Sequence, residues 1–157
     1  MGTSGTVDEP IPRRAARVIL IDADDRVLLL RMFDPARPDF RYWVTIGGGL
    51  EPGETPAQAA ARELREETGL VSAPVDLGEP LWRQTTEFPF DGRWYRQDQD
   101  FYLLRVETLE VNIDGFEEIE RASIDDYRWW SVAELEATSE RFYPDALVDM
   151  LRGILDR

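Results

Sequence analysis

Apolar and polar positions along this chain change rhythm from a period of two to a period between three and four, and back again. "AARVILID" and "RVLLLRMF" are β-branched, apolar runs separated by "ADD", which predicts strand, turn and strand. "DPARPDFR" is punctuated by two prolines and two aspartates and reads as a loop. "YWVTI" then makes a short strand running into Gly47, Gly48 and Gly49. From Thr55 the period is helical, with Ala57, Ala60, Ala61 and Leu64 on one face. Thr55 as N-cap, Pro56 in the first turn and Gln58 three residues after the cap form a capping box, and Gly69 is placed to stop the helix. "LWRQTTEFPF" and "RWYRQDQDFYLLRVE" read as long strands hinged at Asp91-Gly92, a strong hairpin signal. "YRWW" is a last strand. Ser131 and Glu134 cap the helix "VAELEAT", and "PDALVDMLRGIL" is a closing amphipathic helix.

Residues 1–13, rich in small polar residues and proline, read as a flexible tail, and 14–157 as one domain. Strands and helices in this order predict an α+β or layered α-β-α architecture. No repeat or low-complexity segment interrupts it. The chain has neither cysteine nor histidine, so a resident metal must be held by oxygen, which favours Mg²⁺, Mn²⁺ or Ca²⁺. The formal net charge of −14 opposes coating by a nucleic-acid polymer. A small anion remains a partner if divalent ions bridge it to the protein. The polar start lacks the pattern of a secretion signal and no apolar run reaches membrane-spanning length, so a cytoplasmic protein without a membrane partner is expected.

Chemistry concentrates at "GGLEPGETPAQAAARELREETGL", residues 48–70. At about 100° per residue, Glu63, Glu66 and Glu67 fall within an arc of roughly 100° beside the alanine–leucine face. Like charges three and four residues apart repel, so the face is either merely solvated or organised around something positive. The glycines ahead of the helix let a ligand approach the backbone and the helix N-terminus closely.

The stretch fits Gly-x5-Glu-x7-Arg-Glu-U-x-Glu-Glu-x-Gly-U, U being apolar, at Gly48, Glu54, Arg62, Glu63, Leu64, Glu66, Glu67, Gly69 and Leu70. It resembles the box of the Nudix hydrolase family, and the strand order and "RWWSVAEL" resemble the family over most of the chain. The resemblance implies a Nudix fold, a mixed β-sheet sandwiched between helices. It implies metal-dependent hydrolysis of a pyrophosphate bond in a small nucleotide, either a nucleoside diphosphate linked to another moiety or a nucleoside triphosphate. By position, Glu63, Glu66 and Glu67 would be catalytic and would bind Mg²⁺ or Mn²⁺ with the Gly48 carbonyl. Glu54 and Arg62 would form a supporting pair. Divalent ions suit the chemistry, because they polarise a phosphoryl group and activate water inside an acidic site. With no histidine, a carboxylate is the natural general base. One departure is Ile46, where the family often has proline; it removes no ligand.

Glu120, in "FEEIERASIDDY", is the candidate for a further metal ligand or base, against the plainer reading of an exposed acidic loop. Trp43, Trp82 and Tyr95 are candidates for stacking a nucleobase, although such residues more often pack a core. The ADP-ribose-cleaving branch carries proline where this chain has Thr85, and the dinucleoside polyphosphate branch a tyrosine that is missing between Leu70 and Trp94. Neither substrate is favoured. A non-catalytic Nudix-fold nucleotide-binding or regulatory module is the alternative function, and a second copy of the chain, as a homodimer, is a candidate partner.

Overall fold

The computed structural model describes residues 9–107, 109–111 and 123–156. Its strands are β1 (Ile11–Ile21), β2 (Val27–Asp34), β3 (Arg37–Gly49), β4 (Trp82–Phe90), β5 (Arg93–Arg105), β6 (Ile124–Trp130) and β7 (Phe142–Tyr143). Its helices are α1 (Pro56–Thr68), α2 (Val132–Ala137) and α3 (Leu147–Leu155), with a short 3₁₀ turn at Pro74–Leu77. The strands form one mixed sheet. β5 runs parallel to β1 over the whole of Ile11–Ile21, while Ala15–Val18 pairs antiparallel with Gly49–Ile46 of β3. β2 lies between β3 and β6, antiparallel to both, and β7 adds in parallel to β3 at Trp43–Val44.

The sheet separates two apolar layers, because side chains alternate between its faces. Ala16, Val18, Leu20, Leu28 and Ile46 meet Ala59, Ala60 and Leu64 of α1. On the other face Ile19, Ile21, Val27, Leu29, Phe101 and Trp130 meet α2 and α3 through Leu135, Leu147, Leu151 and Ile154. A helix-covered mixed sheet is the layered architecture expected from the pattern. None of the helices among the described residues is long and apolar enough to cross a membrane.

Several local expectations are met in atomic detail. The Thr55 hydroxyl accepts from Gln58 N–H at 3.2 Å and the Gln58 side chain accepts from Thr55 N–H at 2.9 Å. Gly69 closes α1 at φ 82°. Asp91 and Gly92 both have positive φ, 51° and 78°, as a two-residue turn between right-twisted strands requires. Ser131 and Glu134 cap α2 in the same reciprocal way as Thr55 and Gln58.

Two expectations are corrected. The stretch read as a loop at 34–41 needs only Pro35 and Ala36 for its turn, and β3 begins at Arg37. Asp34, 2% exposed, makes this possible: one carboxylate oxygen accepts from Ala36 N–H at 2.9 Å and from Asp91 N–H at 2.8 Å. That tight turn joins β2 and β3 and is tied to the β4–β5 hairpin. The stretch read as tail also gives way early, at Ile11, where the backbone starts its parallel ladder with Tyr95. Composition alone could not reveal a partner strand more than eighty residues away.

Candidate active site

β3 delivers three glycines to the start of the α1 loop; Gly47 is held to glycine by backbone, and Gly48 and Gly49 leave room for a side chain lying against each. A Cβ on Gly47, which sits at φ +142°, would lie 2.1 Å from the Ala16 carbonyl oxygen. One on Gly48 would lie 2.6 Å from a Glu63 carboxylate oxygen, and one on Gly49 2.9 Å from the Arg13 guanidinium. The bare strand therefore carries a carboxylate close on one side and an arginine close on the other. The loop then folds on itself. Glu54 N–H donates to the Glu51 carbonyl at 3.0 Å, and Glu51 N–H donates to the Glu54 carboxylate at 2.7 Å.

Arg62 is the hub of the site. Its Nε and Nη2 donate to the two oxygens of Glu54 at 2.7 and 2.9 Å, a bidentate pair. Nη2 also donates to the Gly49 carbonyl at 3.0 Å. Nη1 donates to Glu63 at 3.0 Å and to Glu66 at 3.2 Å. One guanidinium thus joins the loop, the end of β3 and the helix. The hydrogen bond that Arg62 donates to Glu54 is the main cause that raises the Arg62 pKa, and the same interaction lowers that of Glu54.

A carboxyl group whose pKa falls on folding adds stability above its unfolded pKa, and that stability is lost as pH drops through the folded value. Wild-type melting temperature should consequently fall as pH drops below about 4.3, the ordinary glutamate value. In Glu54→Gln the fall should be shallower. Parallel melting curves across that range would discount the clamp as an acid-sensitive element.

Glu63 and Glu67 are each 4% exposed, so they belong to the buried stripe of α1 and not to the edge beside it. Glu67 accepts from Gly47 N–H at 2.8 Å, and Glu63 lies against Gly48. Glu66 is held by Arg62 on the next turn. Among the described residues no three carboxylates converge into a ready-made cage for a metal. The donor set still suits a hard divalent cation: it is all oxygen, it lies within two turns of one helix, and Gly48 has no side chain to block its carbonyl. Residues Gly48, Glu63, Glu66 and Glu67 fit the ion that the motif implies.

The aromatic candidates do not gather here. Trp43 is 3% exposed and packs edge-on against Trp130 at 5.2 Å, in the layer under α2 and α3. No face of its ring is open to a base, and as a stacking residue it is withdrawn. Trp82 packs against the same layer, half-buried. Tyr95 stacks on Phe88 at 5.7 Å in the β4–β5 hairpin. Glu120 lies outside the described residues.

Pattern reading missed Arg13 and Arg17, on the same side of β1 as the glutamines of β5. Arg17 runs along the glycine strand, donating to the Thr45 carbonyl at 3.3 Å and to Gln99 Oε1 at 3.4 Å. Gln97 also donates to Gln99, at 2.9 Å, and Gln99 to Gln84 at 3.0 Å. Burial lowers the Arg17 pKa, Arg13 lowers it further, and Glu67 and Glu63 oppose them. The only signal available in sequence was Arg13 and Arg17, four residues apart and accompanied by Arg14, in an otherwise apolar strand.

Comparison with known proteins matches residues 11–149 to the NUDIX domain model. Nudix hydrolase 25 of Arabidopsis thaliana is 38% identical over 104 residues, covering 59% of this chain and 56% of that protein. The chain thus spans little more than half of that relative's length. An RNA pyrophosphohydrolase of Caulobacter vibrioides is 31% identical over 160 residues, covering 96% of this chain and 85% of its own. Among solved structures, a MutT protein from Methanosarcina mazei Go1 superposes with a TM-score of 0.66 at 17% identity, covering 94% of this chain and 96% of that one. A bifunctional NMN adenylyltransferase/ADP ribose pyrophosphatase from Francisella tularensis, complexed with AMP and a Mn ion, gives 0.62 at 19% identity, over 98% of this chain and 44% of that one. At these identities the two structures speak for the fold.

Proposed function

The chain belongs to the NUDIX domain family, and from that premise we propose that it hydrolyses a pyrophosphate bond in a small nucleotide with Mg²⁺ or Mn²⁺. One observation carries this reading: the motif's carboxylates are folded against its glycines and braced by its own arginine–glutamate pair. Glu63 and Glu67 meet Gly48 and Gly47, and Arg62 ties Glu54, Gly49, Glu63 and Glu66 together. A binding module has no need of that investment in buried carboxylates, each of which costs free energy to desolvate.

Glu63, Glu66, Glu67 and the Gly48 carbonyl would hold the divalent ions. When bound, such ions polarise the phosphoryl oxygens and lower the pKa of a coordinated water. The protein's part is to fix the carboxylates beforehand. Glu67 is oriented by the Gly47 N–H, Glu63 by Arg62, and the loop carrying Glu54 by the same guanidinium. Proton removal from the attacking water falls to a carboxylate, since no histidine exists in the chain.

A phosphate-release screen with Mg²⁺ and with Mn²⁺ tests the proposal across nucleoside triphosphates, nucleotide sugars, ADP-ribose and dinucleoside polyphosphates. Release from at least one class supports it. Binding without release from any of them would make the chain a nucleotide-binding module. The Caulobacter relative's name supports a second reading, RNA as substrate. A net charge of −14 works against a long RNA path, but a 5′ end needs to present only its phosphates. The screen should therefore include an RNA oligonucleotide with a 5′-triphosphate.

A further inference from the structure

All eighteen basic residues of this chain are arginine, set against thirty-two acidic ones. In so acidic a protein an arginine normally finds a carboxylate. Arg26, Arg31, Arg41, Arg62 and Arg128 each have one within 3.0 Å. Arg14, Arg65, Arg93, Arg96 and Arg141 form no salt bridge but are exposed. Among the described residues Arg13 and Arg17, on β1, are half-buried and form no salt bridge either. Four residues apart in a strand, they lie on the same face and repel one another.

Their position makes the exception informative. The Arg13 guanidinium would sit 2.9 Å from a Cβ on Gly49, and Arg17 Cδ 2.8 Å from one on Gly47. Gly48, between them, faces the other way, toward Glu63. Two cations therefore lie flush on one side of the glycine strand, and the carboxylates of α1 lie on the other. Only backbone separates them. The acceptors that Arg17 does have, the Thr45 carbonyl and Gln99 Oε1, are neutral and orient its guanidinium without discharging it. A partly desolvated cation held by neutral acceptors, beside a second one, is an arrangement that binds phosphate, because planar guanidinium groups offer paired donors to phosphate oxygens.

We propose that Arg13 and Arg17 form a metal-independent subsite for the phosphate chain of the substrate, across the glycine strand from the carboxylates. The subsite rests on the reading of α1 as a pyrophosphate-cleaving centre and deepens it. The carboxylates hold the substrate through divalent ions. The arginines hold phosphoryl oxygens directly and leave the ions to the bond that breaks. An acidic protein thereby gains affinity for an anion without recruiting further metal.

The test uses inorganic pyrophosphate as probe, in EDTA and at fixed ionic strength, followed by titration calorimetry on the whole chain. Wild type should bind saturably with a 1:1 stoichiometry. Arg13→Gln and Arg17→Gln should each weaken binding at least tenfold, and Arg17→Lys, which keeps the charge but not the fork, should fall between. Glu67→Gln should bind at least as well as wild type. Should Arg17→Gln fail to fold, Arg13→Gln alone decides the question. Absence of saturable binding in wild type, or full binding in both glutamine variants, overturns the proposal.

With Mn²⁺ and a hydrolysable nucleotide, Arg17→Gln should raise KM at least tenfold with a smaller change in kcat. A loss of kcat at unchanged KM would mark the arginine as structural and sink the subsite. Hydrolysis by wild type without arginine-dependent pyrophosphate binding removes the subsite and leaves the hydrolase reading. Arginine-dependent binding by a wild type that hydrolyses nothing does the reverse.

Discussion

Replacing Glu67 by glutamine is expected to lower kcat by roughly 10²–10⁴-fold, the scale on which a positioned carboxylate contributes. The fold should survive, because the contact that orients Glu67, acceptance from Gly47 N–H at 2.8 Å, is equally available to an amide oxygen. What disappears is charge, at a group 4% exposed and next to two more carboxylates. A neutral amide is a much poorer ligand for a hard divalent cation and cannot take a proton from water. Measured at saturating Mg²⁺ or Mn²⁺ with melting temperature as control, a loss under about threefold would remove Glu67 from the chemistry. A collapse of stability with the activity would mean that Glu67 serves the fold.

The carboxylate helix was legible in the sequence because its signals are local. A capping box, a terminating glycine and a 23-residue spacing all act within a few turns of one chain. The Asp91-Gly92 hinge was legible for the same reason. Long-range pairing was not. The alternation around Trp43 shows that it faces one side of a strand but not which side, and the structure turns it toward Trp130 and α2. The prolines and aspartates of 34–41 suggested a loop, yet Asp34 folds the turn into two residues by accepting from Asp91 on a distant hairpin. Arg13 and Arg17 acquire meaning only once β1 lies against the glycines of β3, a pairing set by the sheet and not by neighbours in sequence. Charge crowding was visible, but not its resolution: the positive group among the glutamates is supplied by the helix itself.

That internal cation sets the other large expected effect. Arg62→Ala should lower the melting temperature of the protein, with or without substrate. It removes at once a guanidinium, 15% exposed, that contacts Glu54, Glu63 and Glu66. Breaking a buried pair from one side leaves uncompensated charge and costs about 3 kcal/mol or more. For a domain of this size that corresponds to a fall of roughly 6–12 °C. Glu54→Gln should cost less, because the arginine keeps its other acceptors. The double variant should be less destabilised than the two single effects summed, since Glu54 is then no longer stranded; simple additivity would dissolve the predicted clamp. A divalent ion adds a further expectation. It binds the folded protein and supplies the positive charge that Arg62 gave up, so Mg²⁺ should raise the melting temperature of Arg62→Ala more than that of wild type, increasingly with concentration. Melts at matched ionic strength separate this from general screening. Equal Mg²⁺ shifts in both proteins, or a fall of less than about 2 °C on losing the arginine, would show that the carboxylates of α1 do not depend on an organising cation.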